Sequence, residues 1–164
     1  MLGRLERSAF ATIVLVILGV GAGCSGGSGS RSSQGCTLIG CQNGLAVEFS
    51  RPLRETGSYT LTLDLDGERV TCRTALPFAG CATGPVCSSS RVLLEQSGCA
   101  LPQANHEISG LWVTSAAKAV RIQIERDSTE VASGDFTPNY LRSQPNGEGC
   151  EPICEQASAT LQVP

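Results

Sequence analysis

The chain has 164 residues, a formal charge of -3, only 4% aromatic residues and nine cysteines. One domain of ordinary size is expected once a leader is removed. With Arg4, Arg7 and Glu6 set aside, 10 basic residues face 14 acidic ones, so no basic patch is available to displace phosphate counterions, and nucleic acid is excluded as an expected partner.

The chain begins with Arg4 and Arg7, continues uncharged from Ala9 to Val20, and reaches Gly21-Ala22-Gly23-Cys24. This is the layout of an export signal over residues 1–23. A membrane span is disfavoured because a spanning helix needs about 20 apolar residues, and here glycines interrupt the run and a polar tract follows. Small residues directly before Cys24 resemble the lipobox of bacterial lipoproteins, although Gly21 stands where leucine is usual. The resemblance implies cleavage before Cys24 and a diacylglycerol on its thiol; ordinary cleavage near Gly23 is the rival. Ser25 after the cysteine resembles the outer-membrane sorting pattern. Residues 24–35 are then the lipidated cysteine and a Gly/Ser tether, whose flexible 11-residue stretch from Ser25 reaches about 20 Å.

From Cys36 to the end, residues 36–164, the apolar pattern has period two. Leu45, Val47 and Phe49 alternate with polar or small neighbours. Tyr59, Leu61, Leu63 and Leu65 do the same up to Asp66-Gly67, after which 68–74 returns as a hairpin. Arg91 to Glu95 and Glu107 to Val113 are short strand candidates, the second carrying Gly110 as a bulge or close-packing position. Val120, Ile122 and Ile124 predict another strand, returning through Asp127-Ser128 along 129–136, and Ala157 to Val163 closes the series. Seven or eight such strands with almost no helix predict an all-β fold, an antiparallel β-sandwich stapled by disulfides.

GSYTLTLDLDG resembles the immunoglobulin-like and transthyretin-like sandwiches of secreted proteins. The frame Cys36 to Gly44, then FTPNY, then PNGEGCEPICEQA is similar to a group of small cysteine-rich bacterial lipoproteins of uncharacterised role. That likeness carries no catalytic residues. Once Cys24 is lipidated, Cys36, Cys41, Cys72, Cys81, Cys87, Cys99, Cys150 and Cys154 form an even set for disulfides in an oxidising envelope. Cys-x2-Cys zinc pairs are missing, and no metal or cofactor is expected. In a sandwich of this type the first and last strands commonly lie side by side. Cys36 and Cys41 are therefore expected to approach Cys150 and Cys154, leaving the central four to pair among themselves, about nine connectivities in all.

After the signal, the aromatic inventory is Tyr59, Tyr140, Phe49, Phe78, Phe136 and Trp112. Few rings are to spare for stacking on sugars once a core is filled. His106, the only histidine, is expected on an exposed loop and not in a Ser-His-Asp device. Asp64 and Asp66 are read as hairpin residues over a calcium loop. Glu148, Glu151 and Glu155 are read as a solvated surface over an acid-base pair. No catalytic residue is assigned. The expectation is a non-enzymatic binding or envelope-assembly module on the bacterial outer membrane, held by its lipid anchor and facing an envelope protein. A purely structural component is the alternative, and a hydrolase the less favoured one. Recognition is expected on the segment from Phe136 to Gln156, with Tyr140 and Arg142 as anchors because these residue types are frequent interface anchors.

Overall fold

The computed structural model describes residues 35–81 and 84–164, and Gly35–Pro164 forms one compact unit. The expected signal, Cys24 and nearly all of the tether lie outside the described residues. Strands β1 (Gly44–Leu53), β2 (Gly57–Leu65), β3 (Glu68–Leu76), β4 (Val86–Cys87) and β5 (Val92–Ser97) are followed by β6 (Glu107–Val113), β7 (Val120–Arg126), β8 (Thr129–Phe136), β9 (Leu141–Ser143) and β10 (Cys154–Leu161). They form two five-stranded sheets, ordered β5-β6-β1-β10-β9 and β4-β3-β2-β7-β8.

The fold is all-β, with ten strands among the described residues instead of seven or eight. The additional short ones are β4 and β9. Pairing is antiparallel except between the first and last long strands, β1 and β10, which run parallel from Gly44 opposite Gln156 to Phe49 opposite Leu161. The alternation read from sequence places the core. Leu45 and Val47 of β1, Leu61, Leu63 and Leu65 of β2, and Ile122 and Ile124 of β7 are essentially inaccessible, which removes their apolar area from water.

Both expected hairpins end in turns whose two central residues have positive φ: Asp66 (56°) with Gly67 (90°), and Asp127 (49°) with Ser128 (67°). That pairing matches the right-handed twist of the flanking strands. Asp66 is not free for a cation. Its carboxylate accepts from the backbone N–H of Ala119 at 2.8 Å and of Lys118 at 3.0 Å, and these two bonds hold its pKa below the usual carboxylate value. A depressed folded pKa gives a contribution to stability that is complete above the unfolded value of about 3.9 and disappears as pH falls through the folded one. Asp66→Asn is therefore expected to flatten the decline of melting temperature between about pH 5 and the acid limit. Thermal melts of both proteins across that range check this, and identical slopes would contradict it.

Four disulfides close the unit: Cys36 to Cys150 and Cys41 to Cys154, spanning 114 and 113 residues, and Cys72 to Cys87 and Cys81 to Cys99, spanning 15 and 18. The amino-terminal pair thus joins the carboxy-terminal pair, and the central four pair internally. Cys72 and Cys87 are direct partners across β3 and β4, which explains how a two-residue strand is held.

His106 departs from expectation. It is 4% exposed, stacked on Phe78 with ring centroids 5.2 Å apart. Its Nδ1 accepts from the Phe78 N–H at 3.0 Å, and its Nε2 lies 3.2 Å from the Leu101 carbonyl. A loop histidine becomes a core plug because the backbone supplies a partner for each ring nitrogen.

Candidate recognition surface

At one end of the sandwich the chain enters β1 and β10, and there the two long-span disulfides lie next to each other in sequence. Between them the side chain of Asn146, 7% exposed, is a clamp. Its Oδ1 accepts from the Ile39 N–H at 2.8 Å, and its Nδ2 donates to the carbonyls of Ile39 at 3.0 Å and Glu151 at 2.6 Å. Buried amides of this kind are retained when every polar atom has a partner. Pro145-Asn146-Gly147 reads locally as a turn, so nothing in the sequence announced that the Asn146 side chain bonds residues more than 100 positions away. Gln144 adds a bond from Nε2 to the Cys150 carbonyl at 2.9 Å.

Arg142 projects from β9, opposite Glu155 of β10 in the ladder. Among the described residues it has no carboxylate within 4 Å. It borders two shallow depressions of about 560 and 510 Å³, both shared with Ile153; Asn43 and residues 114–116 line the first, and the pinned loop lines the second. Tyr140 does not join it at the surface, contrary to its expected exposure. The ring is half-buried against the core, and its hydroxyl donates to the Ala117 carbonyl at 3.0 Å. Burial raises its pKa, with the Asp66 charge adding to the effect. Tyr140 therefore ties the chain after β8 to residues 115–117, because a long amphipathic side chain can bury its body while its tip finds a backbone acceptor. Glu148, Glu151 and Glu155 are exposed around the same loop, and Glu151 accepts from the Ile153 N–H at 3.1 Å.

At the opposite end, Arg51, Arg54 and Arg126 rim a cleft of about 420 Å³ above Leu53, Tyr59 and Val131. Those charges already have partners: Arg54 pairs with Glu107 at 2.7 Å, Arg126 pairs with Glu55, and Arg51 donates to the Val163 carbonyl at 3.1 Å. The pinned end, where Arg142 has no ion-pair partner among the described residues, is the better candidate surface.

No protein-family model matches the chain, and no curated protein or solved structure shows significant similarity to it.

Proposed function

We propose that the chain is an extracytoplasmic binding module, lipid-anchored through Cys24 to the bacterial outer membrane, that recognises an envelope component through the disulfide-pinned surface around Arg142. The observation that carries this reading is the paired long-span bridges, Cys36 to Cys150 and Cys41 to Cys154. Eight cysteines joined in pairs suit an oxidising compartment, and a loop ordered before binding loses less entropy on binding. A structural envelope role uses the same anchor and frame and is the second reading. Hydrolysis is disfavoured because both ring nitrogens of His106 face backbone partners, which leaves the chain's only histidine without a free face for base catalysis.

Two results follow. Cys24→Ser is expected to move the protein from the membrane to the soluble envelope fraction, and unchanged membrane retention would contradict the anchor. Arg142→Glu is expected to abolish cross-linking to a specific partner in intact cells while changing the unfolding free energy by no more than a neutral surface substitution does, about 0.5 kcal/mol. Wild-type capture by that variant would place recognition elsewhere.

A further inference from the structure

The chain has one tryptophan, and it does not belong to the core cluster. Strand β6 changes phase at Gly110, where an added Cβ would lie 2.5 Å from the Val47 carbonyl. Leu111 and Val113 then face inward while Trp112 takes the outer face of its sheet, half-buried. Its neighbours in the same row are Leu93 on β5, Ala46 on β1 and, beyond Ala46, Ser158 on β10. The indole lies over Gly44, whose missing side chain leaves it room: a Cβ there would come within 3.0 Å of the indole nitrogen.

Beside the ring is a groove of about 430 Å³, within the size range of small-molecule sites, about 300–1,000 Å³. Trp112, Leu141, Asn139, Ser143, Gln156 and Ser158 line it, and none of its lining side chains is charged. The Asn139 side-chain amide has no hydrogen-bond partner among the described residues. Gln156 donates from Nε2 to the Gln42 carbonyl at 2.9 Å, which leaves its Oε1 to accept. From β6 to β9 the groove crosses three strand spacings, about 14 Å. The nearest charges on this face, Glu48 and Glu95, stand in the next row on either side of Gly110.

We propose that this groove binds a neutral oligosaccharide, with the Trp112 indole as the stacking platform and the Asn139, Gln156 and Ser158 side chains hydrogen-bonding its hydroxyls. Apolar sugar faces stack on an aromatic ring, while amides and hydroxyls can each donate and accept as a hydroxyl-rich ligand requires. An uncharged lining beside acidic residues disfavours anionic glycans. The inference rests on the reading of the chain as a binding module but not on its anchor or on Arg142. Leu141 and Ser143 line the groove, whereas Arg142 between them borders the depressions described above, so the two surfaces use different faces of β9 and can fail separately.

Because Trp112 is the only tryptophan, its fluorescence reports on this groove alone. Titration of the mature protein with cellohexaose, maltohexaose and the N-acetylglucosamine hexamer is expected to give a saturable emission change with at least one of them. Trp112→Ala, followed by calorimetry, and Asn139→Asp, followed by fluorescence, are each expected to weaken binding at least tenfold. Asn139→Asp leaves the melting temperature unchanged, and Arg142→Ala leaves the affinity unchanged. The proposal is overturned if none of the three sugars gives a saturable change, if an anionic hexasaccharide binds as tightly as the neutral one, if a neutral Gly-Ser peptide alone changes the emission, or if Asn139→Asp binds like the parent. Absence of sugar binding by the parent protein, with intact cross-linking to a protein partner, would refute this inference and leave the Arg142 surface standing.

Discussion

Replacing Cys36, Cys41, Cys150 and Cys154 together by serine is expected to leave the domain largely unfolded at ordinary temperature, whereas removing either bridge alone is tolerated. The asymmetry follows from nesting. The first bridge to form closes a loop of about 113 residues, for which the chain-entropy relation gives about 4.8 kcal/mol. With that bridge in place, the second closes only the short segments between Cys36 and Cys41 and between Cys150 and Cys154, a ring of about ten residues worth about 2.7 kcal/mol. Loss of one bridge therefore costs about 3 kcal/mol and loss of both about 7–8, set against a total domain stability of about 5–15 kcal/mol. Denaturant unfolding of the two double-serine variants and the quadruple variant checks this. Costs that simply add would show that the bridges act independently and that the nesting argument is wrong.

The second large effect lies in the packing. Leu63 is fully buried at the middle of β2, which pairs with β3 on one side through Val70 and with β7 on the other through Ile122. Strands flank it on both sides, so the site can relax only in part. Leu63→Ala should therefore cost about 3–4 kcal/mol, lost transfer energy plus a residual cavity. Leu141, of the same chemistry but 67% exposed on β9, should cost less than about 0.5 kcal/mol when changed to alanine. Urea midpoints with an unchanged denaturant slope are the measurement. A Leu63→Ala cost below 1 kcal/mol would mean that the two sheets do not pack on this strand.

The contrast between these two leucines also shows what was legible in the chain. Leu61, Leu63 and Leu65 alternate beside an Asp-Gly turn, so periodicity alone fixes their face and their hairpin. The β7-β8 hairpin is legible for the same reason, even with Ser128 where glycine is usual. Strands β4 and β9 are too short for alternation to show. They exist through partners distant in sequence, Cys72 for Cys87 and the start of β10 for Leu141 to Ser143. The side-chain errors share one physical cause. His106 and Tyr140 are amphipathic, and whether such a residue faces water depends on whether the fold brings a backbone partner to its polar atoms. Phe78 and Ala117, 28 and 23 positions away, supply partners that sequence proximity does not show, and Leu101 completes the His106 set from five positions away. For Trp112 the sequence left the face open, because the phase change at Gly110 that turns it outward does not show in the alternation. Asn146 was hidden because two of its bonds reach Ile39, 107 positions away, a partner that only the fold brings near.

The lipid anchor and the disulfide frame are both formed outside the cytoplasm if the proposed address is right, and peptide mass spectrometry of the mature protein, isolated from membranes without reduction, reads both at once. The expected result is an amino-terminal peptide beginning at a diacylated Cys24, with no free thiol among the other eight cysteines. Tryptic fragments should be joined through Cys36 to Cys150 and through Cys41 to Cys154. An unmodified Cys24, a free thiol in the folded domain, or a local Cys36 to Cys41 bridge would contradict it.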